Sequence, residues 1–249
     1  MSMIWRPGFM FDVDASNYIE AVEAADGQQL ETAVRYAYND LFIGCKEDGT
    51  FSALKACCIM AGARTLAGAL TPLLSSMPAP TNVGFVAGDY NRKTGLGDPA
   101  NTAKYLNSNR ADNADPQNSI HIAVYKSSTS VGPANYYIGS GTSTHIRTGF
   151  HRSRNSILDT SYVDAAGFCG SSRQLSTTYF FRSGGSTTTV SAASSSASTQ
   201  THHVFKRADA LGQFVNSPLA FYSIGESLNL ALLDARVTTL MQALSIAIP

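Results

Sequence analysis

The sequence predicts a mainly β protein: a two-sheet antiparallel sandwich with a helical segment before it and one helix after it. Three observations carry that prediction. From Val83 to Ile224 the apolar runs are short, β-branched or aromatic, and bounded by Gly, Asn and Ser. Their turn signals recur at the roughly 8–12-residue spacing of sandwiches and barrels. Residues 15–75 instead carry apolar side chains at helical spacing. The chain closes on Leu219-Ala220-Phe221-Tyr222-Ser223-Ile224-Gly225, a strand, and Glu226-Ser227-Leu228-Asn229-Leu230 opens an amphipathic run to Ile248.

Tyr18, Ile19, Val22 and Ala25 recur at helical period, and Asp26-Gly27 stops that helix. Leu30, Val34, Tyr38, Leu41 and Phe42 continue the period in a second helix ending at Gly44. After the turn at Asp48-Gly49, Phe51, Leu54, Cys58 and Ile59 place a third short helix. Three such pieces cannot bury their apolar faces alone, so they must close on each other, on the β body, or on a partner subunit. Pro78-Ala79-Pro80 is the break, giving an N-terminal arm and helical segment over 1–78 for docking or oligomerisation, and a sandwich with its closing helix over 79–249.

Strands are expected at 82–86, 119–126, 135–139, 144–150, 152–157, 166–171, 177–182, 187–191, 201–207 and 219–224. Alternation is plainest in Ile120-His121-Ile122-Ala123-Val124-Tyr125. Residues 89–118 read as one long irregular loop, and the Ser/Thr-rich 183–201 as an exposed hairpin or a flexible linker. In the last helix Leu230, Leu233, Val237, Leu240, Met241 and Leu244 share one face, with Asn229 as the N-cap. That stripe is core packing.

Charged residues make up only 14% of the 249-residue chain, and the formal net charge is zero. The balance is uneven. Residues 1–61 hold four basic and nine acidic side chains, net −5, and residues 62–225 hold thirteen and seven, net +6. Contacts between head and body of neighbouring subunits, an anionic ligand on the body, or a solvated imbalance all fit. A neutral chain without an aromatic–basic module argues against nucleic acid as a partner. No uninterrupted apolar run reaches the ~18 residues of a membrane span, and no membrane insertion is expected. The N-terminus lacks a basic region followed by an apolar one, so synthesis in cytoplasm without a leader is expected.

Catalytic signatures are missing from the sequence. Cys45, Cys57, Cys58 and Cys169 make no CxxC and read as buried thiols; the five histidines lack zinc spacing. No nucleophile elbow, phosphate loop or dinucleotide fingerprint occurs. Glycoside hydrolysis needs two carboxylates around the scissile bond, one held protonated, yet residues 62–225 contain no glutamate. A non-enzymatic protein is expected.

Binding residues are easier to nominate. Arg152 and Arg154 alternate on an expected strand, which points both to one face, with Arg147 just before and Arg182 on another strand. Guanidinium groups take carboxylate or sulfate in a bidentate way, which suits an acidic polysaccharide. Contact with the acidic head of a neighbouring subunit, or solvation, fits as well. Tyr136 and Tyr137 lie beside a Gly-rich turn where they could stack on sugar rings, although one of two consecutive strand tyrosines is normally core.

The closing Ala220-Phe221-Tyr222-Ser223-Ile224-Gly225, then Glu226-Ser227-Leu228 and a helix, resembles the end of concanavalin A-like, laminin-G-like jelly rolls. Ala25-Asp26-Gly27-Gln28-Gln29-Leu30-Glu31, Gly44-Cys45-Lys46-Glu47-Asp48-Gly49, Ala61-Gly62-Ala63-Arg64-Thr65-Leu66 and Gly88-Asp89-Tyr90-Asn91-Arg92-Lys93-Thr94-Gly95-Leu96 resemble phage-encoded virion proteins. Asn107-Ser108-Asn109-Arg110 with Asn113-Ala114-Asp115-Pro116-Gln117 belongs to the same resemblance. It implies an antiparallel jelly roll on the surface of a phage-like particle, as decoration protein, head spike or tail-fibre component. Its partners would be further copies of the chain, other virion proteins and a host polysaccharide; a lectin or, further off, a jelly-roll glycosidase is the alternative. The laminarinase-like enzymes of that fold carry Glu-x-Asp-x-x-Glu on one strand, which this chain lacks. Concanavalin A-like domains often hold calcium in loops, and Asp112, Asn113, Asp115 and Asn118 are the densest oxygen cluster here. Asx turns before Pro116 account for the same residues.

Overall fold

The computed structural model describes residues 11–100, 102–130, 135–155, 157–210 and 212–249. The first ten residues, read above for a leader, lie outside that range. In chain order come α1 (Val13–Asp26), α2 (Thr32–Glu47), a 3-10 turn (Phe51–Ala53), β1 (Leu54–Ile59), α3 (Leu66–Ala69) and β2 (Thr81–Val83). Next are β3 (Tyr90–Asn91), β4 (Gly95–Leu96), β5 (Tyr105–Ala111), β6 (Ile120–Lys126), β7 (Tyr136–Gly141), β8 (Thr144–Arg147), β9 (Phe150–Arg152) and β10 (Thr160–Ser161). The chain ends with β11 (Gly167–Arg173), β12 (Thr178–Ser183), β13 (Ser186–Ser191), β14 (Thr201–Val204), β15 (Leu219–Gly225) and α4 (Leu230–Ala247).

These strands form two antiparallel sheets, the jelly-roll sandwich that the alternation predicts. The first sheet runs β13-β12-β11-β6-β15-β4-β3, with β1 also on β15; the second runs β10-β9-β8-β7-β14-β5-β2. Ile122, Val124, Cys169, Phe181, Tyr222 and Ile224 face Ile138, Ile146, Leu106 and Val204 between the sheets. The other side of the first sheet, through Ala123, Phe168 and Phe221, is covered by α1, α2 and α4. Three layers result, helices on sheet on sheet; among the described residues no third layer covers the outer face of the second sheet, although the Arg207 stem lies over Gly139 at its centre.

Local chemistry sets the helix ends. Asp12 caps α1 by accepting from the amides of Asp14 and Ala15, and Gly27 ends it at a left-handed φ of 67°. Asn229 caps α4 as expected, accepting from Ala231 and Leu232. Leu233, Val237, Leu240 and Leu244 are buried on the first sheet and α2. By length and composition α4, at 18 residues, also passes for a membrane span, a match that counting only unbroken apolar runs misses and that a core helix shares.

Four expectations are corrected. The third helix expected near Phe51–Ile59 is a turn and then β1, paired with Tyr222 at Cys58 and with Phe221 at Ile59. Cys57 and Ile59 face the helices while Ala56, Cys58 and Met60 face the second sheet, so both sides are apolar and the period of two is hidden. The seam expected at 78 is therefore crossed, since the N-terminal segment supplies a strand to the sandwich. The loop expected over 89–118 contains β3, β4 and β5, and the strand expected over 152–157 stops at Arg152.

The head's apolar faces close on its own chain. Part of its acidic surplus is met within the chain: Glu31 binds Arg92 and Arg64, and Asp48 binds Arg236.

Candidate functional site: the open face of the second sheet

Strand register fixes what the open face displays. Gly139 of β7 lies between His145 of β8 and His203 of β14; Arg152 of β9 pairs with His145, and Asn107 of β5 pairs with His203. Because side chains alternate, these residues share the outer face while Ile138, Ile146, Val204 and Leu106 point inward. Gly139 must be glycine here: a Cβ would sit 2.7 Å from the Cβ of His145 and 3.2 Å from the Arg207 stem.

In one half of the face every guanidinium meets a carboxylate, two of them sharing Asp159. Arg147 donates to Asp159 at 3.0 Å, Arg152 donates to it at 2.8 Å, and His145 Nε2 lies 3.4 Å away. Contact with His145 and the two guanidiniums holds the Asp159 carboxyl well below the usual range, whereas burial pushes the His145 imidazole down despite that carboxylate. Tyr136 meets His145 edge to face, and Arg207 lies over the Tyr136 ring while binding Asp209. Phe150 is at the rim under Arg147, 4.4 Å from guanidinium to ring centroid.

The other half is uncompensated. Tyr105 stacks on His203 with ring centroids 4.8 Å apart, and Lys206 Nζ stands 4.7 Å from the Tyr105 centroid and 5.4 Å from that of Phe214. Burial lowers the Lys206 ammonium pKa, and burial with the Lys206 charge pushes His203 down to about 4. At neutral pH His203 is therefore an uncharged donor and acceptor.

The nominated sugar-binding residues divide. Arg147, Arg152 and Tyr136 share the outer face, where Tyr136 is 6% exposed. Arg154, Arg182 and Tyr137 do not join them. The backbone turns left-handed at Arg154 (φ 44°), which drives its side chain into the interior, where it donates to the carbonyls of Asp112, Asp115 and Pro116. Arg182 sits in the first sheet and holds Asp234 of α4 at 2.7 Å. Tyr137 is buried, donating to Asp164 at 2.6 Å beneath the buried Lys126, which binds the same carboxylate.

The oxygen cluster does not fit calcium. Asp112 faces Arg154 and His202, and also accepts the Ser198 amide; Asp115 is held by Arg110. A carboxylate pair already facing two guanidiniums offers a dication repulsion instead of the hard oxygen shell it requires. Asn113 is exposed and Asn118 contributes one buried oxygen, and among the described residues no group of three His, Cys, Asp or Glu is placed to hold a metal.

Sequence reasoning missed Tyr105, Lys206, Arg207 and Phe214. Tyr105 lay in the stretch read as loop. Phe205, at φ 73°, turns inward directly after inward Val204, so the alternation slips and nothing in the sequence shows where Lys206 points.

No family model matches the chain, and comparison with curated proteins finds no match. Among solved structures the chain is similar to domain 4 of AbnA, a GH43 extracellular arabinanase from Geobacillus stearothermophilus, in complex with arabinotriose. The identity there is 10%, with a TM-score of 0.45 over 74% of this chain and 98% of that one. It is similar to the botulinum neurotoxin serotype D binding domain at 10% identity and TM-score 0.44, over 75% of this chain and 51% of that one. A mutant Trypanosoma rangeli sialidase displaying trans-sialidase activity gives 7% identity and TM-score 0.44, over 82% and 38%. At these values the likenesses bear on no residue and on no activity of this chain.

Proposed function

We propose that this protein is a non-enzymatic carbohydrate-binding sandwich that reads an acidic polysaccharide through the outer face of its second sheet. One observation carries the reading: the first sheet is roofed by helices, while the second leaves Tyr105, Phe150, Phe214, Arg147, Arg152 and Lys206 on an open face. Aromatic rings and cations side by side suit sugar rings bearing acid groups. The absence of catalysis is supported by the carboxylates on that face. Asp159 and Asp209 both bind arginine, and Asp159 is held ionised, which makes Asp159 unfit as a general acid.

We place this binding on the surface of a phage-like particle, where the chain packs with further copies of itself and with other virion proteins. The exposed Ile157 and Val163, 89% and 88% accessible beside the edge strand β10, support a subunit contact. A glycan array with the full chain, run alongside light scattering, tests both parts. Binding confined to acidic glycans, an oligomeric mass and no release of reducing ends are the expected results. An array with no bound glycan, or turnover of any bound one, overturns the reading.

A further inference from the structure

The open face carries four cations within one patch, and they are not equivalent. Arg147 and Arg152 share Asp159, and Arg207 is bound to Asp209. Each of these guanidiniums already meets a carboxylate, the one on Asp159 being shared by two of them. Lys206 differs: no described carboxylate lies within ion-pair distance of its ammonium. Its neighbours are the faces of Tyr105 and Phe214. Asp209, the acid whose field favours the charged lysine, is committed to Arg207.

A partly buried ammonium between aromatic rings has lost water without gaining a counter-ion. Cation–π attraction offsets only part of that loss. Beside it stand polar groups with capacity to spare. Asn107 accepts the Asn109 amide on its side-chain oxygen while its own side-chain amide donates to no described residue, and His203 Nδ1 is buried with no hydrogen-bond partner among the described residues. Asn107 and His203 are register partners on β5 and β14, so both belong to the outward row next to Tyr105.

We infer that Lys206, with Tyr105, Phe214, Asn107 and His203, forms the subsite that takes the carboxylate of an acidic sugar, and that the arginine cluster does not. This rests on the carbohydrate-binding reading above and deepens it. One ammonium supplies one positive charge at one point, which matches a singly charged carboxylate carried on a ring. A planar, two-pronged fork is the device for bidentate recognition, and here each guanidinium is already drawn onto a carboxylate of the protein. In the subsite the carboxylate faces Lys206, ring carbons lie against Tyr105 and Phe214, and hydroxyls meet the Asn107 amide and the neutral His203 imidazole. Arg147 and Arg152 hold the loop bearing Asp159 in place at the edge of the sheet.

The test uses the full chain and three variants, Lys206→Met, Lys206→Arg and Tyr105→Ala, on an array holding acidic glycans and their carboxyl methyl esters. Wild type should bind the acids at least tenfold better than the esters. Lys206→Met should erase that difference by weakening acid binding alone, Lys206→Arg should keep most of it, and Tyr105→Ala should weaken acid and ester alike. Unchanged thermal midpoints for the Lys206 variants show that binding, not folding, has changed. Should wild type bind glycans but Lys206→Met bind the acids as well as wild type does, the subsite assignment falls while the carbohydrate reading stands. Equal binding of acids and esters by wild type has the same consequence. If no glycan is bound, both fall together.

Discussion

Arg154 and Asp112 face each other across 3.5 Å with neither side chain exposed to water. The pair closes one end of the sandwich, because Arg154 also holds the backbone of 112–116 while Asp112 holds the Ser198 amide of the Ser/Thr-rich segment. Removing one member leaves the other charged and buried. Arg154→Met should therefore destabilise by about 3–5 kcal/mol, the usual cost of breaking a buried pair. The double variant Asp112→Asn with Arg154→Met should lose less than the sum of its parts in denaturant titrations. Strict additivity would show that the two are not coupled.

The same geometry predicts indifference to calcium. With Asp112 and Asp115 committed to Arg154 and Arg110, adding millimolar calcium or a chelator should leave the unfolding midpoint unchanged. Calcium that binds only the native state would raise the midpoint with concentration, and such a rise would restore the metal reading.

Stability should fall on mild acidification. Burial lowers the His121 pKa to about 4 and that of His151 to about 3. Their unfolded value is near 6.5. Between those values the unfolded chain binds more protons than the native one, so stability is full above about pH 6.5 and is lost as the pH drops toward 4. Each of the two contributes a slope of about 1 kcal/mol per pH unit in that window. Denaturation midpoints at pH 7.5, 6 and 5 check the direction. Replacing His151, whose ring lies 3.4 Å from the parallel Phe181 ring, by Phe should flatten the dependence.

The terminal helix gives a simpler expectation. Leu233 is 0% and Leu240 2% exposed. Truncating either to Ala should cost about 2–5 kcal/mol, read as a lower denaturant midpoint at unchanged slope. A change under about 1 kcal/mol would mean the helix is not seated on the sheet as described.

What the sequence disclosed follows from which surfaces are one-sided. β6, β11, β12 and β15 were legible from short apolar or alternating runs between turn formers, and α4 from its single leucine stripe. β1 was not legible, since its two faces meet two different cores and its Leu-Lys-Ala-Cys-Cys-Ile reads equally well as a turn of helix. β5 was not legible for the opposite reason: Asn107, Ser108 and Asn109 look like loop residues, yet Ser108 is buried and donates to the His202 carbonyl. At the site, Arg147, Arg152 and Tyr136 were found because their strands keep phase. Arg154 and Lys206 were misplaced or missed because a left-handed residue, Arg154 itself or Phe205, breaks the phase locally.

Glu31 ties the head to the body, and its replacement distinguishes internal pairing from docking. Its carboxylate takes a bidentate contact from Arg92 at 2.6 and 3.0 Å and a further one from Arg64 at 3.1 Å, and the Arg92 contact lowers its pKa. Arg92 meanwhile donates to the Gly62 carbonyl, beside the point where the Tyr38 hydroxyl donates to Ala61. Deleting residues 1–60 is a poor probe of docking, because it removes β1 along with the helices and should prevent folding outright. Glu31→Gln keeps the fold and removes the charge. Because the pair is partly exposed, the loss should be about 1 kcal/mol at low salt, shrinking as salt rises past ~0.15 M, where the screening length is about 8 Å. Its stabilisation should also fade as the pH falls below about 4.3, since the folded pKa lies beneath the unfolded one. The oligomeric mass of Glu31→Gln should equal that of the wild type. A variant that keeps wild-type stability but loses mass would show that this acidic surface serves a neighbouring subunit instead of its own body.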